Sequence, residues 1–483
     1  EISKDANVVI NSDTTLVING TSANGIVLNR DDEYGATQDD IYGAIVLNDG
    51  VLTLTHGMNL EPGMIPSFTQ TGGTLNLLGT AMSIDNDEYS ITGGVINLLN
   101  DYDDYGNLLA SSAIYIQNGQ DNPMEIVINS EPLYTDEFAG GIYVDPYDTG
   151  EVDEGGEPIY RPTTLTLTGD SEIRKEAVVG IDTSSSLVIN STSENGIVLN
   201  SHPDFVATGD YINGALVLND GVLTMTDGFS FNTSPDGLIS YNQTGGTLNL
   251  DNGAYLYLGP VDDPETMQTS SITGGTIKLS NGASIEVHNN ESPIEIITTD
   301  NSSNNIYVDE RLVLGGNTDI KETSNISIYN PNAVLQVNGT SENGVLISPE
   351  DGMFEGSLLL NDGKVFVHNV GVKLNQTGGE LTLLDGTNAD LGDSEHILSG
   401  GSIQTIGTAS LNITNAETNT TQLVMDDTEN VYPAAGIVGR LYIDNASGLQ
   451  LTGNSEINKA VTVTLASGSI LEINSTNENG VVI

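Results

Sequence analysis

The 483-residue sequence predicts an all-β chain wound as a parallel β-helix, a β-solenoid rod with loop insertions. Three observations predict it. Short runs rich in Ile, Val, Leu and Thr recur about every 8–12 residues, with no sustained helical period. The same phrases return in the same order along the whole chain. The runs end on Asn, Asp or Gly, the residues that tight corners and stacked amides require.

The phrases can be followed from the N-terminus. "EISK" opens the chain, and its counterparts are "LTGDSEIRK" (167–175), "LGGNTDIK" (314–321) and "LTGNSEINK" (451–459). Next comes "TSANGIVLN" (21–29), repeated as "TSENGIVLN" (192–200), "TSENGVLIS" (340–348) and "TNENGVVI" (476–483). "LNDG" follows, ending at Gly50, Gly221 and Gly363, then "QTGG" at 70–73, 243–246 and 376–379. A second double glycine closes "SITGG" (90–94), "SITGG" (271–275) and "LSGG" (398–401). "IYVD" (142–145 and 306–309) and "LYID" (441–444) complete the cycle.

The marker isoleucines Ile2, Ile173, Ile320 and Ile457 lie 171, 147 and 137 residues apart in turn. The expected organisation is three repeat units, 1–171, 172–318 and 319–455, and the start of a fourth at 456–483. Length differences come from acidic Gly/Pro-bearing insertions such as "DPYDTGEVDEGGEPIYRP" (145–162), expected on loops. Each unit is long enough for several coils of about 20–27 residues, each rising about 4.8 Å. Roughly twenty coils make a rod on the order of 100 Å long. Because the last copy breaks off inside a unit, the chain is expected to be a slice of a longer array or a subunit completed by another copy, end to end.

Twelve Lys+Arg against 67 Asp+Glu leave a net charge of −55. Such a surface repels phosphate backbones and anionic membranes, so no nucleic-acid partner and no direct membrane insertion is expected. With no cysteine, disulfides, zinc–thiolate sites and thiol nucleophiles are excluded.

The alternating "GGTLNL", "SITGG" and "LTGDSEI" phrases resemble the right-handed parallel β-helix repeats of autotransporter-type adhesins, filamentous-haemagglutinin-like exoproteins and archaeal adhesin-like surface proteins. That resemblance implies a right-handed coil and an extracellular, elongated, non-enzymatic surface protein. The calcium-binding "GGxGxD" repeat is absent.

No catalytic residue is expected. His56, His202, His288, His368 and His396 sit in unrelated phrases, and no common catalytic motif occurs. A polysaccharide lyase or hydrolase, built on clustered Asp beside a base, is the alternative enzyme reading. No resident cofactor is expected. Calcium is the one ion the acidic loops suit, with Asp39, Asp40, Asp103, Asp104, Asp145 and Asp148 as candidate ligands; solvated charged loops are the plainer explanation. The recurring Lys4, Lys175, Lys321 and Lys459 read as partners of nearby acids. Asn-x-Ser/Thr sequons place candidate glycosylation at Asn19, Asn190, Asn338 and Asn474, one site in all four copies, and at the equivalent pair Asn242 and Asn375. Tyr34, Tyr42, Tyr102, Tyr105 and Tyr147 in acidic loops are candidates for stacking on surface glycans, or for pinning the loops. The expected function is a stiff extracellular rod or filament, with an adhesin binding glycan or a neighbouring cell as the alternative.

Overall fold

The computed structural model describes residues 1–3, 5–29, 39–55, 57–61, 65–85, 89–102, 108–128, 140–153, 155–191, 193–201, 209–232, 240–259, 270–299, 303–348, 354–392, 396–425, 439–444, 446–459, 461–475, 478 and 480–482. Among them there is no helix, and large sheets of parallel strands account for the regular structure. The chain divides into two compact units. One comprises Glu1–Leu248 with Val261–Ser270, the other Asn249–Pro260 with Ser271–Ile483.

In the first unit the strands form three stacks, entered in rotation. Ser67–Gln70, Thr74–Leu78 and Ala81–Ile84 belong to the first, second and third; Tyr89–Ile91 returns to the first and Val95–Leu99 to the second. The second stack runs Ile26–Asn29, Val51–Thr55, Thr74–Leu78, Val95–Leu99 and then 125–128, each parallel and in register with the next. The third runs Ala81–Ile84, Ala113–Ile116, Gly141–Val144, Val178–Ile181 and Tyr211–Ile212. The second unit repeats the arrangement, for example through Val345–Ile347, Lys364–Val367, Glu380–Leu383, Ser402–Thr405 and 422–425.

Register puts like on like. Ile26, Leu52, Leu75, Ile96 and Ile126 are successive partners, as are Val345, Val365, Leu381, Ile403 and Leu423, and all ten are buried. Burying each such side chain stabilises the fold by about 1.5–3 kcal/mol. The alternation of apolar and polar residues is therefore an in/out alternation on one-sided sheets.

The repeated phrases turn out to be partners of one another. Each marker isoleucine makes a parallel bridge to the apolar residue after "NG": Ile2 with Ile26, Ile173 with Ile197, Ile320 with Val345, and Ile457 with Val481. The acid before the marker accepts a bond from the Asn of that phrase. Asn24 Nδ2 reaches Glu1 Oε1 at 3.0 Å, Asn195 Nδ2 reaches Glu172 Oε2 at 3.0 Å, and Asn343 Nδ2 reaches Asp319 Oδ2 at 2.6 Å.

The sequence interval between stacked partners varies more than the sequence suggests. Thr53, Asn76 and Asn97 stack at separations of 23 and 21 residues, yet Asn361 and Thr377 are only 16 apart and Asp121 and Thr166 are 45 apart. The longest interval contains an insertion that is not a plain loop. Tyr147–Val152 and Pro158–Arg161 pair antiparallel as an exposed hairpin. Asp153 Oδ1 closes its turn by accepting Gly155 N and Glu157 N at 2.7 and 3.0 Å.

At the "TGG" corners, backbone segments of successive layers approach closely. A Cβ on Gly72, Gly245 or Gly378 would lie 2.4, 2.3 or 2.2 Å from the carbonyl oxygen of Asn48, Asn219 or Asn361 on the preceding coil. Behind each corner sits a buried glutamine. Gln376 Nε2 donates to Gly378 O, Gly379 O and, one coil on, Ser402 O at 3.2, 3.3 and 3.1 Å. Gln70 and Gln243 hold their corners in the same way.

Gly378→Ala is expected to lower the urea unfolding midpoint, at a cost of about 2 kcal/mol, because backbone must move to admit the methyl. Gly371→Ala is expected to stay within about 0.5 kcal/mol, since the nearest neighbour of its Cβ is Asn388 O at 3.9 Å. Equal midpoints for the two variants would contradict the close-approach explanation.

Candidate functional site

The outward side of the third stack in the first unit gathers the chemistry that the rest of the unit disperses. Tyr115 and Tyr143 are direct strand partners, and their rings stack at 5.0 Å with 12° between planes. The next positions in register are Gly180 and Tyr211. A Cβ on Gly180 would lie 2.5 Å from the Tyr211 ring, so that ring lies across the glycine. Tyr143 likewise leans along its own strand over Gly141, where a Cβ would meet it at 2.8 Å. Tyr115 and Tyr211 each keep 39% of their surface exposed.

Carboxylates line this row. Asp145 and Asp182 follow their strands directly, with backbone N–H groups donating to Ile116 O and Val144 O at 2.9 Å. Gln117 Nε2 holds Asp145 Oδ2 at 2.6 Å. Burial, then the neighbouring Tyr115 and Asp210, push the Tyr143 phenol up. Burial, then Asp145 and Tyr143, do the same to Tyr211.

Two equivalent aspartates stand just before short strands: Asp39 before Asp40–Ile41, and Asp210 before Tyr211–Ile212, the last strand of the third stack. Asp39 accepts Val8 N and Asn29 N at 2.6 and 2.9 Å; Asp210 accepts Val179 N and Asn200 N, both at 2.7 Å. Each carboxylate thus joins backbone on two segments. Burial raises Asp39, and it pushes Asp210 up to about 8 against the pull of its two N–H donors.

Of the other candidate metal ligands, Asp40 begins its bridging role as the partner of Val9. Asp148 Oδ1 accepts Gly150 N at 2.8 Å within the hairpin. Asp103 and Asp104 lie outside the described residues. Among the described residues no group of three or more His, Asp or Glu side chains is disposed to hold a metal ion.

Two of the sequon asparagines, Asn19 and Asn338, belong to rows of stacked polar side chains, whereas Asn242 and Asn375 lie within strands. Asn48 Nδ2 donates to Asn19 Oδ1 and Thr71 Oγ1 to Asn48 Oδ1, both at 2.8 Å; Asn361 to Asn338 and Thr377 to Asn361 repeat this at 2.8 Å. The row uses Oδ1 of Asn19 and Asn338, leaving Nδ2 as the atom a glycan would occupy. Asn19 and Asn474 are exposed, whereas Asn190, Asn338, Asn242 and Asn375 are half-buried. Asn474 Nδ2 donates to Glu472 Oε1 at 2.9 Å.

Of the recurring lysines, Lys321 Nζ pairs with Asp319 Oδ1 at 3.0 Å, and Lys4 lies outside the described residues. His288 is bracketed by Asp309 Oδ2 at 2.5 Å and Glu310 Oε1 at 3.0 Å, while His56 and His202 lie outside the described residues. Of the loop tyrosines, Tyr42 is exposed, Asn100 Nδ2 donates to the Tyr102 hydroxyl, and Tyr147 pairs with Arg161 in the hairpin; Tyr34 and Tyr105 lie outside the described residues. The row of Tyr115, Tyr143 and Tyr211 is what sequence reasoning missed. Only Tyr143 carried a signal, the repeated "IYVD", where the Tyr stands at the outward position between the buried Ile142 and Val144.

No protein-family model, curated protein or solved structure matches the chain significantly.

The Asp210 carboxyl binds its proton more tightly folded than unfolded, since its ordinary value is 3.8. Its contribution to stability is therefore full below about 4 and fades as pH climbs towards about 8. The thermal midpoint is expected to fall between pH 5 and 8 and the fall to flatten in Asp210→Asn. An unchanged pH slope in that variant would rule Asp210 out as its source.

Proposed function

We propose that the chain is a right-handed parallel β-helix serving as an extracellular structural protein, a stiff rod or filament without catalytic activity. One observation carries this reading: within each unit, successive strands of a stack pair in parallel and in register, so each coil is a template for the next. A body built this way gains length by repetition, and its stability is a sum of local coil-to-coil terms. Its partner is another copy, added along the coil axis, or further coils of the same polypeptide. The acidic outer surface keeps such bodies apart sideways, and divalent cations, calcium first, act on it as spread counter-ions. Of the six candidate glycosylation asparagines, Asn19 and Asn474 are the exposed ones.

A second reading, a surface adhesin, is favoured by the outward tyrosines of the third stack. Tyrosine rings on a rigid sheet are suited to hold a partner, and that partner would decide between standing material off a surface and gripping it.

Negative-stain electron microscopy of the purified chain and of native material tests the first reading. Rods of uniform width, longer in native material than in the isolated chain, are expected. Compact particles of one size in both preparations would overturn it.

A further inference from the structure

We propose that Tyr115, Tyr143 and Tyr211, with Asp145 and Asp182 beside them, form a docking face for a basic peptide segment of a partner protein, whose Lys and Arg side chains lie over the rings between the carboxylates. The inference concerns the first unit alone and holds whether or not the chain forms filaments.

The geometry of the rings is the first support. Outward aromatics on a sheet normally stand on edge and bury their faces on each other, as Tyr115 and Tyr143 do in part. Tyr211 departs from this. The missing side chain of Gly180 lets its ring reach over that strand, while 39% of the residue stays exposed. Gly141 gives Tyr143 the same room. A ring face carries negative potential, and a cation over it is held at roughly 0.5–2 kcal/mol.

Charge complementarity selects the occupant. The row sits beside Asp145 and Asp182, in a chain with 67 acidic and 12 basic residues. A carboxylate next to an aromatic face is the chemistry that recognises guanidinium and ammonium groups, by ion pair and by ring contact together. Acidic glycans are repelled by the same field. The spacing also suits a peptide: successive coils offer a contact about every 4.8 Å, and alternate side chains of an extended segment fall about 6.8 Å apart, close enough to reach rings on neighbouring or next-neighbouring coils. Arg and Lys stems add apolar contact with the rings.

The test uses fluorescein-labelled hexa-arginine and the whole chain, with binding read by fluorescence anisotropy at about 0.15 M salt, where long-range attraction to the net charge is screened. Replacing the three rings together (Tyr115→Ser, Tyr143→Ser and Tyr211→Ser) leaves net charge unchanged and is expected to weaken binding roughly tenfold. Tyr211→Phe, which keeps the ring face, is expected to bind like the parent. Equal affinity of parent and triple variant would overturn the proposal, leaving only diffuse attraction to a polyanion. A neutral oligosaccharide, cellohexaose, whose binding depended on the three rings while hexa-arginine binding did not, would overturn it in favour of a sugar platform.

A measurement on the unaltered chain guards against misfolding of the triple variant. Nitration of Tyr115 and Tyr211 by tetranitromethane, mapped by mass spectrometry, is expected to slow severalfold with hexa-arginine present. Unprotected rings at saturating peptide would also overturn the proposal.

Discussion

The close approach of one coil's backbone to the next at the glycine corners is the constraint from which the rest follows. Strand ladders need neighbouring backbones about 4.8 Å apart. That spacing is easy to keep along a strand, where side chains point up and down, and hard to keep at a corner, where a Cβ points into the neighbouring coil. Gly72, Gly245 and Gly378 remove that atom where the carbonyls of Asn48, Asn219 and Asn361 press in. Once the corner closes, Gln70, Gln243 and Gln376 satisfy the carbonyls turned inward there, and the apolar rows of adjacent coils come into register behind them. A buried amide in an otherwise aliphatic interior is costly unless bonded, so each Gln marks a corner that must form as drawn.

Much of this was legible in the sequence because a stacked sheet converts spacing into contact. The alternation in "GGTLNL" became an in/out alternation, the recurring Asn became the Asn19–Asn48–Thr71 row, and the constant phrase order became constant succession of stacks. What could not be read was anything that depends on which coil lies beside which. "EI" and "TSxNG" are separated by about one coil in sequence, yet only the register reveals that Ile2 meets Ile26 and that Asn24 holds Glu1. Asp39 looked like a loop ligand for a cation because it stands at the end of an acidic run. Its two bonds to Val8 and Asn29 give it a bracing role that the sequence did not reveal, and the second copy, Asp210, follows a different loop sequence that hid the equivalence.

The tyrosine row escaped for a related reason. Composition makes tyrosine unremarkable here, with 18 residues spread along the chain, and acidic loops drew attention to the wrong ones. Tyr115, Tyr143 and Tyr211 come from three phrases of different wording, "AIYI", "GIYV" and "DYIN". Their common property is position on the outer side of one stack, and the decisive neighbour of Tyr211 is a glycine 31 residues earlier, Gly180. Asp210, the neighbour of Tyr211 in the chain, holds its proton far above the usual range because burial strips its solvation, against the pull of the Val179 and Asn200 N–H donors.

The pairing of "EI" with "TSxNG" bears on how such a molecule changes over generations. Each copy of the first phrase lies in the same repeat as the copy it grips, one turn away. Recombination between repeats therefore adds or removes a whole block while every junction still joins matching halves. Size can drift by large steps with no seam to redesign, a freedom that an ordinary globular core, with its mutually dependent sides, does not have.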